Sequence, residues 1–254
     1  RRLSSAPKRK RSKEPPDQNC MILCIETATG VCSAALCDEN RVAGTAEAPP
    51  GMSHAAQLTV IIQRLMEENR IRATDLDAVA VSKGPGSYTG LRIGVSAAKG
   101  IAYGAGIPLL AINTLEAMCS GYGSLYPGDL QPGTLLCPMI DARRMEVYNA
   151  VFTHDGKHVR ETAASIIDGN SFSDILAENR VIFFGNGSEK CRAIITHPNA
   201  FFREGFSLSA SYLHIPSVNA LRNKQFEDVA YFEPYYLKEF IATVPKSFFP
   251  DKSE

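Results

Sequence analysis

The residues best placed to do chemistry lie in residues 83–94, Lys-Gly-Pro-Gly-Ser-Tyr-Thr-Gly-Leu-Arg-Ile-Gly. Gly84, Gly86 and Gly90 can accept positive φ and let another backbone or a ligand come close. Thr89 and Arg92 stand where the loop opens onto a helix N-terminus, whose free N–H groups favour an anion. The chemistry on offer is a phosphate-facing loop, set against the plainer reading of a tight structural turn. The glycine spacing fits neither the Walker pattern nor the dinucleotide fingerprint. Two acidic turns extend the set: Glu26 with Thr27 and Thr29, and Asp141 further on. Carboxylates on two facing hairpins could hold a hydrated magnesium ion. That makes an ATPase or phosphotransferase the alternative to a binding module.

Other candidates are thinner. The five histidines, His54, His154, His158, His197 and His214, are scattered. His154 and His158 are separated by Gly156 at an expected turn, so the sequence predicts no metal site. His54 reads as an exposed or capping residue. Ser53 and Ser87 have no evident His–Asp arrangement, which leaves a peptidase as the weakest reading.

These groups need elements to carry them. Residues 21–25, 31–37 and 41–46 read as a three-stranded antiparallel meander. Ser53 then caps a helix with Leu58, Ile61, Ile62, Leu65 and Met66 at helical spacing. Residues 77–82 return as a strand, which makes a parallel crossover, and the glycine loop leads into a second helix. On that helix Ala97, Gly100 and Gly104 make a face almost without side chains. An internal glycine costs about 1 kcal/mol against alanine, so Gly100 needs a packing reason. A short strand follows at 107–112. Residues 121–133, rich in Gly and Pro, read as a loop joining two halves, 21–120 and 121–254. The second half repeats the form: a strand at 135–140, an acidic turn at Asp141 and a strand at 145–152. Helices are expected at 171–179, 188–195 and 216–226, with a strand at 181–184. The pattern predicts an α/β architecture of two ribonuclease H-like halves, each a mixed sheet with crossover helices.

Composition bounds the rest. The 254 residues are 44% hydrophobic and 21% charged, as in ordinary globular proteins. Formal net charge is zero, but residues 1–20 carry seven basic residues against two acidic ones. The remainder is therefore acidic, which argues against a broad nucleic-acid face on the folded part. Residues 1–20 read as a basic disordered tail, and Met21 is the expected working start. No apolar run is long enough for a membrane span. Seven cysteines without a Cys-x-x-Cys pair point to a reducing, cytoplasmic compartment.

Residues 22–29, residues 83–94, Asp141-Ala-Arg143 with Glu146-Val-Tyr148, and residues 234–237 (Pro-Tyr-Tyr-Leu) together resemble the TsaB (YeaZ) family, which takes part in making threonylcarbamoyladenosine on tRNA. The resemblance spans about residues 21–240. It implies the actin-like ATPase superfamily fold and a non-catalytic partner of a TsaD-type transferase. The product would be threonylcarbamoyladenosine at the adenosine 3′-adjacent to the anticodon. The transferase relative carries a His-x-x-x-His pair that holds its metal, whereas the matching residues 112–118 here contain no histidine. No cofactor of the chain's own is therefore implied, with ATP and a metal ion on the partner proteins. A TsaE-like ATPase is the third expected component, and tRNA is expected to be reached only through the complex. The family pairs through helices matching residues 53–68 and 92–104, and can self-associate as a homodimer by the same surface. The interface residues implied are Leu58, Ile61, Ile62 and Leu65, with Ile93, Ala97, Gly100 and Gly104.

Overall fold

The computed structural model describes residues 20–238, so the expected basic tail, apart from Cys20, lies outside the described residues. β1 (Ile22–Glu26), β2 (Ser33–Cys37) and β3 (Val42–Glu47) form the expected meander. α1 (His54–Glu68) carries the chain to β4 (Ala78–Gly84), which pairs parallel with β1. α2 (Tyr88–Ala105) then leads to β5 (Leu109–Asn113), parallel to β4, giving a five-stranded sheet in the order β3-β2-β1-β4-β5. α3 (Thr114–Leu125) leads out of it.

The second sheet repeats this plan in the order β10-β9-β6-β7-β8. β6 (Thr134–Asp141), β7 (Glu146–Thr153) and β8 (His158–Ile166) are its meander. The four-residue α4 (Ser173–Leu176) precedes β9 (Arg180–Phe184), and β10 (Ala200–Arg203) adds to β9 in parallel. α5 (His214–Arg222) returns to the first sheet, where Val218 and Ala220 pack with Ile22 and Cys24. The chain is thus an α/β fold of two mixed, ribonuclease H-like halves. Among the described residues, no helix is long and apolar enough to cross a membrane.

Several local expectations are corrected. Residues 121–125 are the end of α3 rather than loop, because Gly121 lets the Tyr212 ring lie where a Cβ would stand, 2.3 Å away. The expected helix at 171–179 shrinks to α4 after Phe172 takes a left-handed φ of 63°. That at 188–195 shrinks to a single 3-10 turn at Glu189–Cys191.

The apolar stripe of α1 has a different destination from the one the sequence suggested. Leu58, Ile61, Ile62 and Leu65 are buried against their own sheet, in one cluster with Leu23, Ile25, Val79 and Val81. A helix lying on a sheet must turn its most apolar face inward. Those four residues hold the half together, and Leu58 also lines a groove between α1 and α2.

Candidate functional site

Two concavities flank the N-terminus of α2. The larger is a cleft of about 850 Å³ between the halves, reached by Thr29, Gly86, Thr89, Asp141 and Arg143. The smaller is an open groove between α1 and α2, lined by Ala55, Thr59, Arg92, Ile93, Ser96 and Ala97. Tyr88 and Thr89 line both.

The glycine loop is held by packing, and this decides which of its residues can meet a ligand. Only Gly84 of the three loop glycines has a positive φ, +117°. A Cβ on Gly86 would stand 2.4 Å from the Ala28 carbonyl oxygen, and one on Gly90 would stand 2.1 Å from that of Thr27. These glycines therefore admit the β1–β2 turn against the start of α2. Thr27 is fully buried and donates its hydroxyl to the Gly90 carbonyl at 2.8 Å. Gly84 and Gly90 are buried too. Of the predicted phosphate-facing set, Thr27, Gly84 and Gly90 are thus structural, while Thr29, Gly86 and Thr89 reach the cleft. Arg92 points to the groove, where it donates to the Tyr88 hydroxyl at 3.0 Å and lies 5.6 Å from that ring's centre.

The two acidic turns also part company. Glu26 is fully buried: it accepts the Ala28 N–H at 2.5 Å and the Ser82 hydroxyl. Burial pushes its carboxyl up to about 7, against the lowering pull of those hydrogen bonds. It does not line the cleft, which removes the paired-carboxylate magnesium site. Asp141 does line the cleft, but its Oδ1 accepts the Arg143 N–H at 2.9 Å and the carboxylate is ion-paired with Lys190. Lys190 also donates to the carbonyls of Arg144 and Glu146, each at 2.7 Å, and so braces the turn. Among the described residues, no group of three metal-ligating side chains converges.

His54 is neither exposed nor a cap. It is the first residue of α1 and lines the cleft with Nε2 buried and, among the described residues, without a hydrogen-bond partner. Ser87 caps α2, accepting the Gly90 N–H at 3.3 Å, and so serves the backbone rather than a catalytic arrangement. Within residues 112–118, Asn113 caps α3 by accepting the Leu115 N–H at 2.8 Å, while Thr114 and Met118 are buried.

Sequence reasoning missed the C-terminal segment, which borders the cleft through Tyr235, Tyr236, Leu237 and Lys238. Tyr235 donates its N–H to the Lys83 carbonyl at 2.7 Å, and the Tyr236 ring lies 4.8 Å from that of Tyr88. The Pro-Tyr-Tyr-Leu run at 234–237 was the only signal for it.

On the partner side, Ile93 and Ala97 are half-buried in the groove, and Gly100 and Gly104 are exposed with nothing within 4 Å of an added Cβ. Exposed Val60 and Tyr103 stand on the same two helices.

Comparison with known proteins bears on these features. The family model described as "TsaD: tRNA N6-adenosine threonylcarbamoyltransferase" matches residues 51–232. The TsaB protein of Escherichia coli, named a tRNA threonylcarbamoyladenosine biosynthesis protein, is 36% identical over 146 residues, 56% of this chain and 61% of that protein. The chain belongs to this family, within its TsaB (YeaZ) group. The Bacillus subtilis TsaB is 32% identical over 52% of this chain and 55% of its own length. The matched region therefore spans little more than half the length of these curated relatives. The fold extends further: the YeaZ structure from Pseudomonas aeruginosa superposes with a TM-score of 0.70 at 22% identity, covering 86% of this chain and all of that one. A second Pseudomonas aeruginosa structure, described as similar to peptidase YEAZ, gives 0.72 at 21% identity over the same share.

Proposed function

We propose that this TsaB-group chain is a non-catalytic partner of a TsaD-type transferase in forming threonylcarbamoyladenosine on tRNA, acting in the cytoplasm. The observation that carries the reading is the 36% identity to a protein named for that biosynthesis. Two features of the site support a non-catalytic role. Glu26 spends its carboxylate on Ser82 and Ala28 inside the core, and the acid that reaches the cleft, Asp141, is spent on Lys190.

The surface we assign to the transferase is the outer face of α1 and α2: Ile93, Ala97, Gly100 and Gly104, bordered by Val60 and Tyr103. Bare glycines on an exposed helix face allow another helix to approach closely. A homodimer using this face would be isologous and would compete with the heterodimer. A TsaE-like ATPase completes the set, and ATP and metal belong to the partners. The test is ATP turnover and tRNA modification by residues 20–254 alone and then with TsaD- and TsaE-like proteins. Modified tRNA only in the mixture is the expected result. Turnover by this chain alone, lost on Asp141→Ala, would overturn it.

A further inference from the structure

Residues 227–238 cross the molecule as a strap, and its anchors are specific. The Glu227 N–H bonds the Leu109 carbonyl at 2.9 Å, beyond the pairing of β5 with β4. Lys99, on α2, donates to the carbonyls of Ala230 and Phe232 at 3.1 and 2.9 Å. Val229 and Phe232 pack on the core of the first half. Tyr235 then bonds Lys83 and passes so close to the loop that a Cβ on Gly84 would lie 2.5 Å from its carbonyl oxygen. At the far end Lys238 forms an ion pair with Glu146 of the second sheet. The strap's Tyr235, Tyr236 and Lys238 make one wall of the cleft.

Tyr88 joins this strap to the groove. Its hydroxyl accepts from Arg92, which lies in the groove and not in the cleft, while its ring lies against Tyr236 of the strap, tilted by 36° at 4.8 Å between centres. Arg92 is exposed and lines the groove, so an occupant of the groove can reach its guanidinium. A carboxylate arriving there would take up the guanidinium's remaining donors and hold it in place.

We propose that Tyr88 is a positioning residue through which the α1–α2 groove sets the strap, and thereby the cleft wall, at residues 235–238. The link runs Arg92 to Tyr88 to Tyr236, three side chains in direct contact. Groove occupancy that orients Arg92 steadies the strap, and loss of Arg92 loosens it. The link is a property of the chain alone, so it is tested without any partner and survives or fails independently of the proposed function.

The experiment is hydrogen–deuterium exchange of residues 227–238 in the full chain, comparing wild type with Arg92→Ala and with Thr59→Ala, a groove change outside the link. Arg92→Ala is expected to speed exchange of this segment roughly fivefold, the change that follows loss of one ordinary hydrogen bond. Thr59→Ala should leave it as in wild type. Unchanged exchange in Arg92→Ala would overturn the proposal. So would an equal rise in Thr59→Ala, or a rise spread evenly over both sheets, since either makes the effect general loosening. A second variant, Tyr236→Leu, leaves Arg92 in place and removes the ring that Tyr88 meets, and it is expected to speed exchange of the same segment. Unchanged exchange in Tyr236→Leu would also overturn the link.

Discussion

The two ends of α2 use glycine for opposite reasons. At its start, Gly90 and Gly94 sit where an added Cβ would be 2.1 Å from the Thr27 carbonyl oxygen and 2.2 Å from its hydroxyl. Towards its end, Gly100 and Gly104 face open space. The first pair is fully explained by this chain: without it the Glu26–Gly30 turn could not seat on the helix. The second pair is explained by nothing among the described residues, although each glycine weakens the helix. An unexplained penalty on an exposed face is the physical argument that something else packs there.

Substitution can break that comparison. Gly90→Ala should give the largest effect, a loss of about 3 kcal/mol read from urea unfolding, because a backbone oxygen cannot yield as a side chain does. A loss of under about 1 kcal/mol would show that the turn has room to move, contrary to its packing.

The turn itself makes the second prediction. The Glu26 carboxyl, ordinarily at 4.5, is pushed up to about 7 by burial. Below 4.5 the carboxyl is protonated in both folded and unfolded chains, and the fold keeps the full contribution of this group. Between those values only the unfolded chain ionises, so stability falls as pH rises and the loss is complete above about 7. Linkage puts the fall between pH 5 and pH 7 at about 2 kcal/mol. Unfolding free energies of wild type and Glu26→Gln from urea titrations across that range should diverge by that amount, with the Gln variant lacking this component of the slope. Parallel curves would mean that Glu26 titrates as an exposed acid.

Gly94→Ala should be milder than Gly90→Ala, at about 1 kcal/mol, since the obstacle is the Thr27 hydroxyl. That side chain can rotate if it gives up its bond to Gly90. Equal losses at the two positions would put the strain in the helix and not in the turn.

Much of this was legible in sequence, and the failures have causes. The first sheet was read almost strand by strand because its apolar runs are bounded by clear turns. β8 was missed because all nine of its residues are only half-buried or exposed, so no alternation marks it. β10, at four residues, is too short to carry a pattern. The central loop was found by its glycines, read as admitting another backbone or a ligand, and at Gly86 and Gly90 it is the backbone: a close approach of two backbone segments distant in sequence leaves no trace except the glycine, so its partner could not be named. The aliphatic residues expected on the partner face are buried for a related reason. Helical periodicity reports the face that is buried, and in α1 that face serves the helix's own sheet. The interaction face is marked by what it lacks, as at Gly100, more than by what it contains.

Gly100 therefore gives the smallest effect on stability and the sharpest separation. Gly100→Ala should stabilise the chain by somewhat under 1 kcal/mol, since alanine improves the helix and its Cβ meets nothing. Gly100→Arg should be close to neutral for the same reason, while its long charged side chain would occupy the space that a neighbouring helix needs. Co-elution with a TsaD-type transferase should then be lost without any fall in the urea midpoint. If Gly100→Arg destabilises the isolated chain, the outer face is packed by something within it. If it leaves both stability and co-elution intact, the glycine is not there for the transferase, and the contrast between the two ends of α2 loses its functional meaning.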